Sequence, residues 1–205
     1  PSAYYYSGFQ VEAPMLNKII SFIACCMIAL ALVSLARVSA PPLKAAVGHY
    51  LLNTAWEKTL NTGVKSRPWA SADFNLIGKL TIPRLGISRV VLSNASGEAM
   101  SWGVGSVIPT RRSSINHPTI LAGHRDTHMK FMSHLQIGDR LEFQKFDGST
   151  KFFKITTSKV TTTPQLTLNE QISGNHQLIL TTCWPFNAIQ SGPERFVVVA
   201  EPVNR

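Results

Sequence analysis

The chain has 205 residues, 44% hydrophobic and 15% charged, with a mean hydropathy of +0.06; this excludes a disordered polymer or collagen-like repeat and fits one folded core plus an apolar segment. Twenty Lys and Arg against eleven Asp and Glu give a net charge of +9, which suits an anionic membrane surface. Nucleic acid is not expected as a partner, because the charges are spread and no basic run is interleaved with aromatic residues.

Residues 19–36 read IISFIACCMIALALVSLA without a charge, between Lys18 and Arg37. At about 1.5 Å per residue such a helix nearly crosses a hydrocarbon core of roughly 30 Å. A cleaved signal peptide is the rival reading, with Val38-Ser39-Ala40 as a small-residue site. The run is longer than the usual apolar region of about 7–15 residues, and Pro41 follows the site, so a retained anchor is expected. Residues 1–18 then form a cytoplasmic tail. Lys18 on one side and Arg37 and Lys44 on the other leave orientation undecided by charge alone.

Residues 41–68 read as a juxtamembrane or stalk helix. Leu43, Val47, Tyr50, Leu51, Ala55 and Trp56 recur at helical spacing and Gly63 is available as a terminator. That apolar stripe suits either a membrane surface or a protein body.

From Asn75 the texture changes to short β-rich runs separated by Gly, Pro, Asn and Ser: 78–82, 89–92, 119–122, 140–143, 151–156, 177–182 and 196–200. Leu178-Ile179-Leu180 and Val197-Val198-Val199 are continuous and suit central strands covered on both faces. So many short strands need their edges managed, which predicts a closed or nearly closed barrel over 69–205. Residues 93–114 and 157–176 read as long loops, where ligand contacts are commonly built. No internal repeat is visible.

Three cysteines are too few for a disulfide scaffold. Cys25 and Cys26 are neighbours in the apolar run, which leaves Cys183 alone in the remainder. It stands at the end of a strand, as does His124 after Thr-Ile-Leu-Ala-Gly, while Arg195 stands before Phe-Val-Val-Val. A thiol with a reference pKa of about 8.5 becomes a useful nucleophile near neutrality when a base or cation meets it, and His at about 6.5 is the usual partner. An always-charged Arg can steady an oxyanion or a substrate carbonyl. Taken singly, a lone Cys is more often a buried small hydrophobe and a strand-end Arg a solvated charge.

The combination Gly123-His124-Arg125-Asp126-Thr127-His128, then Leu180-Thr181-Thr182-Cys183-Trp184-Pro185-Phe186, then Arg195, resembles the sortase family of cysteine transpeptidases. It is most similar to sortases of the Gram-negative type. The likeness runs from Trp69 to Val203 and includes Ile82-Pro83-Arg84-Leu85-Gly86 and Asn94-Ala95-Ser96-Gly97. It implies an eight-stranded β-barrel with Cys183 as nucleophile, His124 as acid and base, and Arg195 as the oxyanion-stabilising or substrate-orienting cation. It also implies a secreted protein with an LPXTG-like sorting signal as substrate, an amine as acceptor, and a chain anchored in the inner membrane with its catalytic domain on the periplasmic side. Thr182, Trp184, His128, Leu121 and Ala122 are expected to contact substrate, with 157–176 forming one wall of the groove and 93–114 another.

No cofactor or metal is expected. His128 lies four residues from His124, but Arg125 occupies the place where a zinc-binding HExxH needs its Glu, and acidic residues are sparse. Asp126 is expected to cap a short helix over 127–135. Two other classes remain open: a cysteine hydrolase that releases its acyl group, and a catalytically silent peptide-binding barrel.

Overall fold

A computed structural model of the chain describes residues 13–64, 66–107, 118–162, 176–190 and 192–204. Helix α1 is assigned over Ala13–Thr62, and within it the chain divides into two compact units, one ending at Leu43 and the other beginning at Lys44.

In the first unit, Met15–Leu35 has a mean hydropathy of 2.4 and no part of it is buried in protein. Phe22, Met27, Leu30 and Leu35 all expose more than half of their surface. Its 21 residues correspond to about 31 Å of helix, long and apolar enough to cross a membrane. Ser34 satisfies its own hydroxyl within the helix, donating to the Leu30 carbonyl at 2.8 Å.

In the second unit, Leu52, Ala55, Trp56 and Thr59 of α1 are buried at intervals of three and four, the inward stripe of an amphipathic helix. The stripe packs on Ala72, Phe74, Leu76, Val90, Leu92 and Ala99. Of the stripe expected from the sequence, Ala55 and Trp56 are buried within the protein, while Leu43, Val47 and Tyr50 are exposed. A Cβ on Gly48 would stand 2.8 Å from Trp102 Cε3, so only glycine permits this close approach. Lys44 Nζ sits 4.3 Å from the centroid of the Trp102 ring. Gly63, at φ +67°, ends the helix by donating to the Thr59 carbonyl.

The remainder is a closed eight-stranded barrel: β1 (Leu76–Ile82), β2 (Ile87–Leu92), β3 (Val104–Ser106), β4 (Thr119–Ala122), β5 (Arg140–Lys145), β6 (Thr150–Thr162), β7 (Leu178–Cys183) and β8 (Glu194–Val203). Around the barrel the order is β1-β2-β3-β4-β7-β8-β6-β5, with β5 returning to β1. Most neighbours are antiparallel, but β2 pairs with β3, and β4 with β7, in parallel. The interior is filled by Leu80, Ile82, Val104, Leu121, Met129, Leu141, Phe153, Leu178, Leu180 and Val198 among others.

All seven strands expected from the sequence are present, and 119–122 coincides with β4. The eighth, β3, was hidden inside the expected loop 93–114. It is three residues long, includes Gly105, and exists because helix α2 (Gly97–Trp102) returns the chain beside β2. Ser96 caps α2, its Oγ accepting from the Ala99 amide at 3.1 Å. The loop expected over 157–176 also begins later, because β6 continues to Thr162 by pairing Thr157 through Thr162 with β8. Those β6 residues are mostly exposed, so no apolar alternation announces them.

Arg84, in the 3-10 turn Pro83–Leu85, makes a paired contact with Asp139, Nε to Oδ1 at 2.5 Å and Nη2 to Oδ2 at 2.7 Å. Its Nη2 also donates to the His134 carbonyl at 2.6 Å. This fork fastens the short 3-10 helix Lys130–His134 and the approach to β5 onto the end of β1.

Candidate active site

Strand pairing brings the three candidate chemical residues to one rim. The parallel pair β4 and β7 aligns Ala122 with Thr181, so His124 and Cys183, each two residues further on, leave the same end of the barrel. β8 runs antiparallel to β7 and aligns Arg195 directly with Cys183. Such partners have Cα atoms about 4.5–5.5 Å apart. His124 is exposed, while Cys183 and Arg195 are half-buried and Cys183 is a free thiol.

Alternation along these strands sorts the expected contact residues into two faces. Leu121, Leu178, Leu180 and Val198 point into the barrel. Ile120, Ile179 and Val197 form a separate buried cluster on the outer face, with Val199 packed against it. Cys183 and Arg195 have the outward parity and stand at the end of this apolar strip, as does Ala122. Leu121, expected to contact substrate, is instead fully buried in the core. Thr182 is also inward and buried; its Oγ1 donates to the Gly123 carbonyl at 2.8 Å. These two residues support the site from beneath.

The turn after β4 is held by its own backbone. The His124 carbonyl accepts from the Met129 amide at 2.9 Å, and a Cβ on Gly123 would stand 3.0 Å from Met129 Cγ. His128 is buried beneath the turn, with Nε2 3.4 Å from the Ser101 carbonyl oxygen. Burial, reinforced by the Arg89, His124 and His49 charges and opposed by the Ser101 carbonyl, holds its ring below the ordinary imidazole pKa. His128 is therefore a packed, neutral ring under the loop. Asp126 does not cap the following turn: the 3-10 helix begins after Met129, which makes no side-chain cap bond, because the reverse turn to Met129 delays the helix.

On the other side of Cys183, Trp184, Phe186 and Phe196 form an aromatic cluster with centroids 5.4–5.7 Å apart. The Trp184 amide donates to the Glu194 carbonyl at 3.1 Å, closing the β7–β8 connection. Arg195 Nη1 donates to the carbonyls of Gly192 (2.9 Å) and Glu194 (2.8 Å), so its guanidinium is aimed by its own loop.

Sequence reasoning gave no role to Arg125. It is 6% exposed, and its Nη2 donates to the carbonyls of Ala188 (2.5 Å) and Gln190 (3.1 Å). The sequence signal was its position beside His124, inside the Gly123–His128 motif that carries the family resemblance. Residues 108–114 and 163–175, which are part of the expected groove walls, lie outside the described residues. A cleft of about 780 Å³ lined by Lys151, Phe152, His176 and Val203 belongs to the far end of β8, about 25 Å of strand from Arg195.

A family model described as a sortase domain matches residues 80–203. Sortase D of Bacillus subtilis is 25% identical over 126 residues, covering 62% of this chain and 63% of that relative's length. Among solved structures, Listeria monocytogenes sortase A aligns with a TM-score of 0.53 at 16% identity, covering 63% of this chain and 88% of its own. Streptococcus agalactiae sortase C1 gives 0.54 at 19% identity (78% and 88%), and a lid mutant of Corynebacterium diphtheriae sortase A gives 0.55 at 15% (78% and 95%). At these identities the structures speak for the fold. The likeness to the Gram-negative type noted from the sequence is not reproduced among these relatives.

Proposed function

Because the chain belongs to the sortase family, we propose that it is a membrane-anchored cysteine transpeptidase acting on an LPXTG-like sorting signal. The observation that carries this reading is the register that sets Cys183 opposite Arg195, at the rim from which His124 also emerges.

In this reading the Cys183 thiolate attacks the Thr carbonyl carbon of the Thr–Gly bond. Negative charge gathers on the carbonyl oxygen, where the Arg195 guanidinium, already oriented by Gly192 and Glu194, supplies a charged donor. Protonated His124 gives its proton to the leaving glycine amine as the C–N bond breaks, which leaves an acyl thioester on Cys183. An incoming amine then attacks that thioester, His124 takes its proton, and the thiolate departs. The acyl group's energy is kept in the thioester, so no nucleotide is consumed.

Met15–Leu35 serves as the anchor in the inner membrane, with the barrel on the periplasmic side, where an exported substrate is met.

The test is the intact mass of the full chain in detergent micelles after incubation with an LPXTG peptide, with and without a primary amine. The expected result is a gain equal to the acyl part through Thr, absent in Cys183→Ala, that the amine converts to a released amide. An adduct resolved only by water would make the protein a hydrolase. Unaltered peptide bound equally by Cys183→Ala would make it a binding module.

A further inference from the structure

Arg125 is a buried cation whose two hydrogen bonds both run from Nη2 to main-chain carbonyls, those of Ala188 and Gln190. Its Nη1 is buried with no hydrogen-bond partner among the described residues. Taking a guanidinium out of water is costly unless its donors are matched, so this arrangement is a poor way to gain stability alone. Its location is more informative. Arg125 follows His124 directly, while Ala188 and Gln190 lie in the connection that begins at Cys183 and ends at Arg195. The chain therefore joins the His124 turn to the Cys183–Arg195 connection by a side chain as well as by the Thr182 bond from below.

We propose that Arg125 is a positioning residue, which sets the placement of the His124 imidazole relative to the Cys183 sulfur by bridging the two loops that carry them. The inference rests on the reading of His124 and Cys183 as a working pair. Both bonds leave one terminal nitrogen, so a Lys, which keeps the charge and several donors on a shorter stem without the guanidinium plane, is expected to hold the bridge only in part.

The test uses the full chain in detergent micelles and compares wild type, Arg125→Met, Arg125→Lys and His124→Ala. Two quantities are read: the pH dependence of iodoacetamide alkylation at Cys183, followed by mass of the Cys183 peptide, and kcat and KM on an LPXTG peptide. Arg125→Met is expected to move the alkylation profile onto that of His124→Ala. It should also lower kcat on the order of 10–100-fold with KM little changed, the scale of a misplaced catalytic group. Arg125→Lys should recover part of both. A wild-type alkylation profile in Arg125→Met, or a fall in kcat that only tracks a smaller folded fraction, overturns the proposal. If Arg125→Met does not fold, Arg125→Lys decides: an intermediate profile supports the bridge and a wild-type profile rejects it. Wild type and His124→Ala giving one profile would overturn the pair itself, and the proposal with it, which separates that failure from a failure of Arg125 alone.

Discussion

The hydroxyl of Thr182 donates to the main-chain carbonyl of Gly123 across 2.8 Å in a buried position. Each partner immediately precedes a candidate chemical residue, Cys183 in one case and His124 in the other. One short bond between β7 and the turn after β4 thus limits how far the two can drift apart.

Thr182→Val keeps the side-chain shape and removes the donor, leaving the Gly123 carbonyl buried without it. The expected loss of stability is about 1–3 kcal/mol, the cost of an unsatisfied buried acceptor. Urea denaturation measures it, and thioester formation on an LPXTG peptide should fall further than the lost folded fraction explains. A variant with wild-type stability and rate would show that the bond does not set the spacing.

Arg195→Lys retains the charge but not the fork that Gly192 and Glu194 orient. Thioester formation is expected to drop about 10²–10³-fold, as when a preorganised oxyanion donor is lost, with unfolding changed by no more than about 0.5 kcal/mol. Stopped reactions analysed by intact mass give the rate. Retention of most activity would reduce Arg195 to a general positive charge.

His128 produces a pH dependence of stability with a definite sign. Its folded-state pKa lies below the ordinary 6.5, mainly through burial, so between those values the unfolded chain binds a proton that the folded chain does not. The contribution is complete above about pH 6.5 and is lost as the pH falls toward the folded-state value, at no more than about 1.4 kcal/mol per pH unit. Chemical denaturation between about pH 7 and about pH 5 should therefore show a steeper loss for wild type than for His128→Gln. Parallel curves would mean that His128 is protonated in place.

Gly105→Ala tests the tight return of β3. An added Cβ would lie 2.3 Å from the Asn94 carbonyl oxygen and 2.7 Å from Ala95 Cα, both main-chain atoms that cannot swing aside. A loss of about 1–3 kcal/mol or more is expected from the forced backbone shift. Thermal unfolding reads it, and an unchanged Tm would mean that the β2–α2 crossing has slack.

Strands with apolar content were legible because their patterns are local: β4 and the runs of β7 and β8 are written in consecutive Ile, Leu and Val. β3 and the end of β6 were not, because Val104-Gly105-Ser106 and 157–162 become strands through partners far away in sequence. Ala55 and Trp56 were visible as part of a stripe, but Leu52 was not, and the choice between membrane and barrel awaited Phe74 and Leu92 folding against them.

The sequence by itself determined the chemical inventory: a helix apolar enough for a membrane, a barrel-forming run of short strands, and Cys183, His124 and Arg195 at strand ends. Residue type and spacing suffice for that, since each property belongs to a short stretch. Tertiary structure alone decided that β4 lies beside β7, which sets His124 and Cys183 at one rim, and that Leu121 faces inward while Ala122 faces out. It also decided that Arg125 is buried across from Ala188 and Gln190. Pairing and burial depend on residues some sixty positions apart meeting only in the closed barrel, and no local pattern encodes a hydrogen bond to a distant main-chain carbonyl.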